Sequence, residues 1–229
     1  MKKLRLCLVA ADLLLGILIL GRLSMTLESR QTMAVPVCQM ADLKIKKVAL
    51  SFDDGPHPKY TKELLDGLAK RNVKATFFVI GERAENYPEL VERMHEEGHL
   101  IGNHTYNHVQ LTTISMSEGE EQIYHSNQVI EEITGEEPEY LRPPYGDCCE
   151  ELEERLPMFV ALWDIDTLDW TGRSVNGICQ EVFEHVKDGD IILMHDGYPN
   201  SVTAALKIVD TLSRKGYRFV TLEELFIEE

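Results

Sequence analysis

The stretch ALSFDDGPHP, residues 49–58, sets two neighbouring carboxylates, Asp53 and Asp54, at the end of an apolar run. Further along, HTYNH holds His104 and His108 four positions apart, a spacing that on a helical turn aims both imidazoles the same way and suits a divalent metal. Two histidines and one carboxylate leave positions open on zinc for water and substrate, a catalytic rather than a structural ligand count. Successive residues at a strand exit point in different directions, so one aspartate can hold a metal while the other moves protons. Neither piece decides the matter alone, because Asp-Asp-Gly-Pro also makes a polar turn and paired histidines are common on solvated helix faces.

Strand-like apolar runs alternate with helix-like segments along the rest of the chain. KVALSF precedes a helix over 59–71, ATFFVI one over 88–97, HLIGNH one over 117–134 and EYLRPP a short acidic helix over 150–156. FVALWDI, DIILMHD and YRFVTL complete the strands, with helices over 175–186 and 201–215 between them. Ser117 with Glu120 and Thr221 with Glu224 fit capping boxes, and Gly98 and Gly216 mark helix ends. The alternation amounts to about seven βα units, and it implies an α/β fold with a parallel sheet covered on both faces. A barrel is expected in preference to an open, doubly wound sheet. Such folds carry their chemistry at the strand C-terminal ends. Asp53, Asp54, His104, His108, Arg142, Asp166, Asp169, His195 and Asp196 all fall there.

The 229 residues, 44% of them apolar, enclose one sizeable core rather than two. Acidic residues outnumber basic ones 39 to 23, and the formal charge of −16 argues against nucleic acid as a partner. Lys2, Lys3 and Arg5 precede an apolar run over 6–21 broken only by Asp12. Residues 1–26 are therefore expected to be a signal peptide or an uncleaved membrane anchor that places the chain outside the cytoplasm, with a linker over 27–43 and a catalytic domain over 44–229. The five cysteines, Cys7, Cys38, Cys148, Cys149 and Cys179, lack zinc-site spacing and are expected to be unpaired thiols. His57, His95, His99, His125 and His185, with the acidic runs EEPEY and CEELEER, are expected on solvated or loop positions.

Taken together, SFDDGP, HTYNH, RPPYG, DTLDW and LMHD resemble the five ordered motifs of the polysaccharide deacetylase family, the NodB-homology group or carbohydrate esterase family 4. The resemblance runs from about Lys46 to Phe226, and Ser51 stands where the family more often has Thr. It implies a distorted (β/α) barrel and a zinc site, or one for another divalent metal such as cobalt, ligated by Asp54, His104 and His108. Asp53 matches the general base, Arg142 the arginine that pairs with it, and His195 the general acid, kept charged by Asp169. The backbone N–H of Tyr145 matches an oxyanion donor in a loop stiffened by Pro143 and Pro144, with Pro144 and Tyr145 on the substrate side. Trp170 and Leu193 match the slot for the acetyl methyl group. Asp166 and Asp196 receive no firm role.

The resemblance thus implies a hydrolase that removes N-acetyl groups from a glycan, either peptidoglycan N-acetylglucosamine or N-acetylmuramic acid, or chitin-like oligosaccharides; a monomer is expected, though nothing in the sequence fixes the oligomeric state. O-acetyl xylan is a further family substrate. The rival readings are a hydrolase of another non-peptide C–N bond, such as a cyclic imide or ureide, and a non-catalytic carbohydrate-binding pseudoenzyme.

Overall fold

The computed structural model describes residues 45–227. The expected signal or anchor over 1–26, the linker over 27–43, and Cys7 and Cys38 lie outside the described residues. Among the described residues no helix is long and apolar enough to cross a membrane.

Eight strands form one sheet in which every pairing is parallel: β1 (Lys46–Gly55), β2 (Thr76–Val79), β3 (Leu100–Asn103), β4 (Tyr140–Leu141), β5 (Phe159–Val160), β6 (Ile165–Asp166), β7 (Ile191–His195) and β8 (Tyr217–Val220). The path runs β5-β4-β3-β2-β1-β7-β6, with β8 added against the start of β1. Helices α1 (Tyr60–Ala69), α2 (Gly81–Asn86), α3 (Pro88–Glu96), α4 (Met116–Thr134), α5 (Glu150–Glu153), α6 (Val175–His185), α7 (Pro199–Arg214) and α8 (Leu222–Ile227) connect the strands.

Strand periodicity sorts β1 into two faces. Val48, Leu50 and Phe52 join the main core with Leu64 and Leu68 of α1 and Ala205 and Ile208 of α7. Ala49 belongs to a second cluster with Phe78, Tyr140, Ala161 and Ile191 on the concave face. Ser51 and Asp53 follow Ala49 on that face, so it grades from apolar at the strand start to charged at its end. The strand buries both faces, hence its near-continuous apolar run.

The expected barrel is present but does not close, because β5 and β6, the ends of the strand path, do not pair. FVALWDI, expected as one strand, is two short ones. Its middle uses backbone acceptors elsewhere: the Ala161 and Leu162 carbonyls accept from Arg142 Nε and Nη2, both at 2.9 Å. One guanidinium thereby fills a seam that lacks strand-to-strand bonds.

The capping box of α4 is Ser115 with Glu118, not Ser117 with Glu120. Both pairs fit the pattern, and the earlier start brings Met116 into the helix against the Leu111, Ile123 and Leu152 cluster. Thr221 and Glu224 do form the reciprocal pair at α8. Gly98 and Gly216 follow helix ends at φ 77° and 85°. His99 is not solvated but buried. Its Nδ1 accepts from the Ala75 amide and burial lowers its pKa to about 4, so it is a neutral core histidine. Cys148, Cys149 and Cys179 are free thiols.

Candidate active site

The C-terminal ends of β1, β3, β6 and β7 surround a pocket of about 320 Å³, walled by Asp53, Asp54, His104, His108, Leu193 and His195. Tyr145, Trp163, Asp166, Trp170 and Tyr198 complete its rim. A larger cavity of about 460 Å³ opens at the N-terminal ends of β3 and β4, beside His95 and Glu136. Among the described residues only Asp54, His104 and His108 bring metal-ligating atoms together, all within 4.8 Å of one another.

That trio is not carried on a helical turn, as the spacing had suggested. His104 and His108 sit on a loop after β3 whose backbone is left-handed at Thr105 (φ 62°) and His108 (φ 60°). Asp54 (φ 70°) and Tyr145 (φ 63°) share that conformation, as does Leu168 (φ 51°) beside Asp169. Among the described residues, five of the six non-glycine residues in this conformation are therefore at or next to the pocket, each at a cost of about 1–2 kcal/mol. Asn103 holds part of the loop, its side-chain oxygen accepting from the Thr105 amide at 2.6 Å while its amide nitrogen donates to the Ile123 carbonyl.

His104 Nδ1 lies 2.6 Å from the Arg142 carbonyl. Because a carbonyl only accepts, Nδ1 carries the proton and Nε2 turns its lone pair to the pocket. Asp54 Oδ1 is buried with no hydrogen-bond donor, 3.4 Å from His104 Nε2 and 3.2 Å from His108 Nε2. Burial acts to raise the Asp54 pKa, and positive charge at the point where His104 and His108 face it holds the carboxyl well below the usual range. Two nitrogens and an orphaned carboxylate oxygen facing one point fit a divalent ion, with no other purpose evident for the oxygen.

Asp53, 3% exposed, accepts from Arg142 Nη1 at 2.8 Å. Arg142 is fully buried; the same nitrogen donates to Ser51 Oγ at 2.8 Å, and Phe78 lies against the guanidinium, 4.1 Å from its ring centre. Ser51 in turn donates to the Ile192 carbonyl at 2.9 Å. Every nitrogen of the cation has a partner, as burial of a charge requires.

His195 faces Asp53 and Asp54 from β7. Its Nδ1 donates to Asp169 Oδ1 at 2.7 Å and its backbone N–H to Asp169 Oδ2 at 2.8 Å, so the buried carboxylate fixes both ring and backbone. Burial alone would lower the imidazole pKa, but the Asp169 bond and charge, with Asp53 and Asp54, raise it to about 9. Asp196 lies behind this wall, bonded to the Thr61 hydroxyl, and burial pushes it up to about 7. A Cβ on Gly55 would stand 2.5 Å from the Asp196 carboxylate, which reserves that position for glycine.

Trp170 is half-exposed and Leu193 buried, and both reach the pocket. Tyr145 lies exposed with its ring centre 5.1 Å from that of His108. Pro144 is buried behind it and does not reach the pocket wall. Arg142 and Asp169 stand behind their partners rather than on the wall. Sequence reasoning passed over Ser51 as a polar partner and Trp163 and Tyr198 as pocket residues. For Trp163 a signal existed, since it is one of only two tryptophans and the other is Trp170.

The fold is thus a parallel αβ barrel left open at one seam, with two histidines and paired aspartates at its strand ends. Residues 41–156 match the family described as polysaccharide deacetylase, and the chain belongs to that family. It is 42% identical over 195 residues to the peptidoglycan-N-acetylmuramic acid deacetylase PdaC of Bacillus subtilis, a match covering 85% of this chain and 42% of that protein. A peptidoglycan-N-acetylglucosamine deacetylase of Bacillus cereus is 42% identical over 190 residues, 79% of this chain and 68% of the relative. The solved structure of the Bacillus subtilis peptidoglycan deacetylase PdaC superposes with a TM-score of 0.78 at 43% identity, covering 80% of this chain and 90% of that one. The chain thus spans less than half the length of the first of these relatives.

Proposed function

We propose that the protein is a metal-dependent deacetylase of N-acetylated glycans, with peptidoglycan amino sugars as the first substrate to test. The observation that carries this reading is the pairing of Asp53 with a buried Arg142 on one side of the pocket and of His195 with Asp169 on the other, around the Asp54, His104 and His108 cluster. The two relatives above, named as peptidoglycan deacetylases, support the choice of glycan.

When bound by Asp54, His104 and His108, zinc or another divalent ion such as cobalt supplies Lewis-acid charge at the reacting carbonyl and acidifies water. Asp53 takes the proton of the attacking water, and its bond to Arg142 Nη1 fixes one carboxylate oxygen so that the other is turned to that water. The Tyr145 amide receives charge developing on the acetyl oxygen. His195 has its Nδ1 committed to Asp169, so Nε2 is the end that protonates the departing nitrogen. Water and amide become acetate and amine. Trp170 and Leu193 enclose the methyl group, and Tyr145, set on Pro144, meets the sugar. Residues 1–26 act as signal or membrane anchor and 27–43 as linker, so that the domain over 44–229 works outside the cytoplasm as a monomer.

The test is acetate release by the full chain from N-acetylated chitooligosaccharides and from peptidoglycan, after chelation and after zinc is added back. Zinc-restored release is expected, with the relative rates ranking the glycans. A chain that binds zinc but releases acetate from neither substrate would move the assignment to another C–N bond or to a binding protein.

A further inference from the structure

Trp163 sits where the barrel fails to close, between β5 and β6, and touches two parts of the site at once. On one side its ring centre is 5.7 Å from the Arg142 guanidinium carbon, whose other neighbour ring is Phe78. On the other it presses against the Pro144–Gly146 turn so closely that a Cβ on Gly146 would lie 2.7 Å from its Cη2. The backbone next to it is tied to β7: the Asp164 amide donates to the Ile191 carbonyl at 2.9 Å and the Asp164 carboxylate accepts from the Ile191 amide at 2.8 Å. The turn it abuts is left-handed at Tyr145 and at Gly146 (φ 68°), a backbone that needs outside support. Two amide bonds lie within the turn, Gly146 to the Pro143 carbonyl at 3.0 Å and Asp147 to the Pro144 carbonyl at 3.3 Å, and beyond it the Asp147 carboxylate accepts from Gln110 Nε2 at 2.8 Å and the Thr112 hydroxyl at 2.6 Å; against Tyr145 and Gly146 themselves the indole is the neighbour that closes the turn.

We infer that Trp163 is a positioning residue: its indole supports the Pro144–Gly146 turn and covers the Arg142 guanidinium, so one side chain at the unpaired seam registers the amide donor of Tyr145 against the cation behind Asp53. The inference rests on the proposed deacetylation for its kinetic readout but not for its structural one. Its chemistry is geometric. A donor displaced by about 1 Å costs on the order of 10²-fold in rate.

The test uses the full chain as Trp163→Ala, Trp163→Phe, Gly146→Ala and the Ala/Ala double variant, with steady-state acetate release and amide hydrogen exchange. Trp163→Ala is expected to lower kcat by about 10–100-fold with KM changed by less than about two-fold and zinc content unchanged, the pattern of lost transition-state positioning. Trp163→Phe, which keeps a ring over Arg142, should recover most of that loss. Gly146→Ala should cost more in the native background than beside Trp163→Ala, because its methyl meets Cη2 only where the indole is present. The Gly146 and Asp147 amides should exchange faster in Trp163→Ala while those of α7 keep their native rates.

Additive effects in the cycle, a native kcat for Trp163→Ala, or native exchange at Gly146 and Asp147 would each overturn the inference. Should the Ala variant not fold, Trp163→Phe combined with Gly146→Ala runs the same cycle. Absence of acetate release from the unmodified chain would strike the proposed function instead, and the exchange measurement would then decide the positioning role alone.

Discussion

The two walls of the pocket hold charge by opposite means. On the β1 wall a carboxylate is held by a cation that water does not reach, Arg142, fully buried and bonded to Asp53, Ser51 and two backbone carbonyls. On the β7 wall an imidazole is held by a buried anion, Asp169, while the ring keeps 13% exposure and opens to the pocket. Each side chain thus has a fixed partner of the other sign, and on the β7 wall the bond and charge of Asp169 raise the His195 pKa.

The sharpest break in this comparison is Asp54→Ala, at a residue that follows Asp53 on β1 but faces His104 and His108. It should lose zinc and turnover together, read by metal analysis and acetate release. Asp53→Asn and His195→Ala should instead retain zinc and lower kcat by on the order of 10²–10⁴ each. Zinc loss in Asp53→Asn equal to that in Asp54→Ala would erase the division between the two acids.

Asp169→Asn tests the β7 wall, and the acid role proposed for His195, through pH. With its pKa raised to about 9, His195 is protonated below that value and activity should fall as pH rises through it. Without the anion, burial dominates and the alkaline limb should move to lower pH; an unmoved limb would assign it to another group. The same linkage has a stability side. The ion pair contributes fully below the ordinary imidazole value of 6.5 and is lost as pH rises through about 9, so the native chain should lose part of its excess stability over Asp169→Asn in that window. The smallest effect is expected on the base wall from Ser51→Ala, which removes a donor to Ile192 and an acceptor for Arg142 and should cost about 1–3 kcal/mol in urea unfolding.

Much of this arrangement was legible from residue order, and the reason is local. KVALSF and IILM bury both faces, so their apolar runs are unambiguous, and polar residues at their ends mark the chemical edge. What was not legible depends on contacts distant in sequence. FVALWDI reads as one strand because nothing nearby announces that Arg142, some twenty positions earlier, takes its carbonyls. The helical turn expected for HTYNH failed because the Asn103 side chain ties the Thr105 amide and sends the loop through left-handed conformations. Ser115 and Ser117 satisfy the same capping rule, and packing of Met116 chose between them. His99 looks like any surface histidine until the Ala75 amide is found against it.

The open seam also bears on how the protein fails when heated. β5 and β6 are two-residue strands at the free ends of the sheet path, the elements with least to hold them, and the side chain bridging the gap is the one that supplies Asp53 with its counter-charge. Fraying there would withdraw Arg142 from Asp53 before the central strands separate. Thermal inactivation is accordingly expected to precede melting, with activity lost at temperatures where circular dichroism still reports an intact sheet; coincident curves would mean that the seam is as durable as the core.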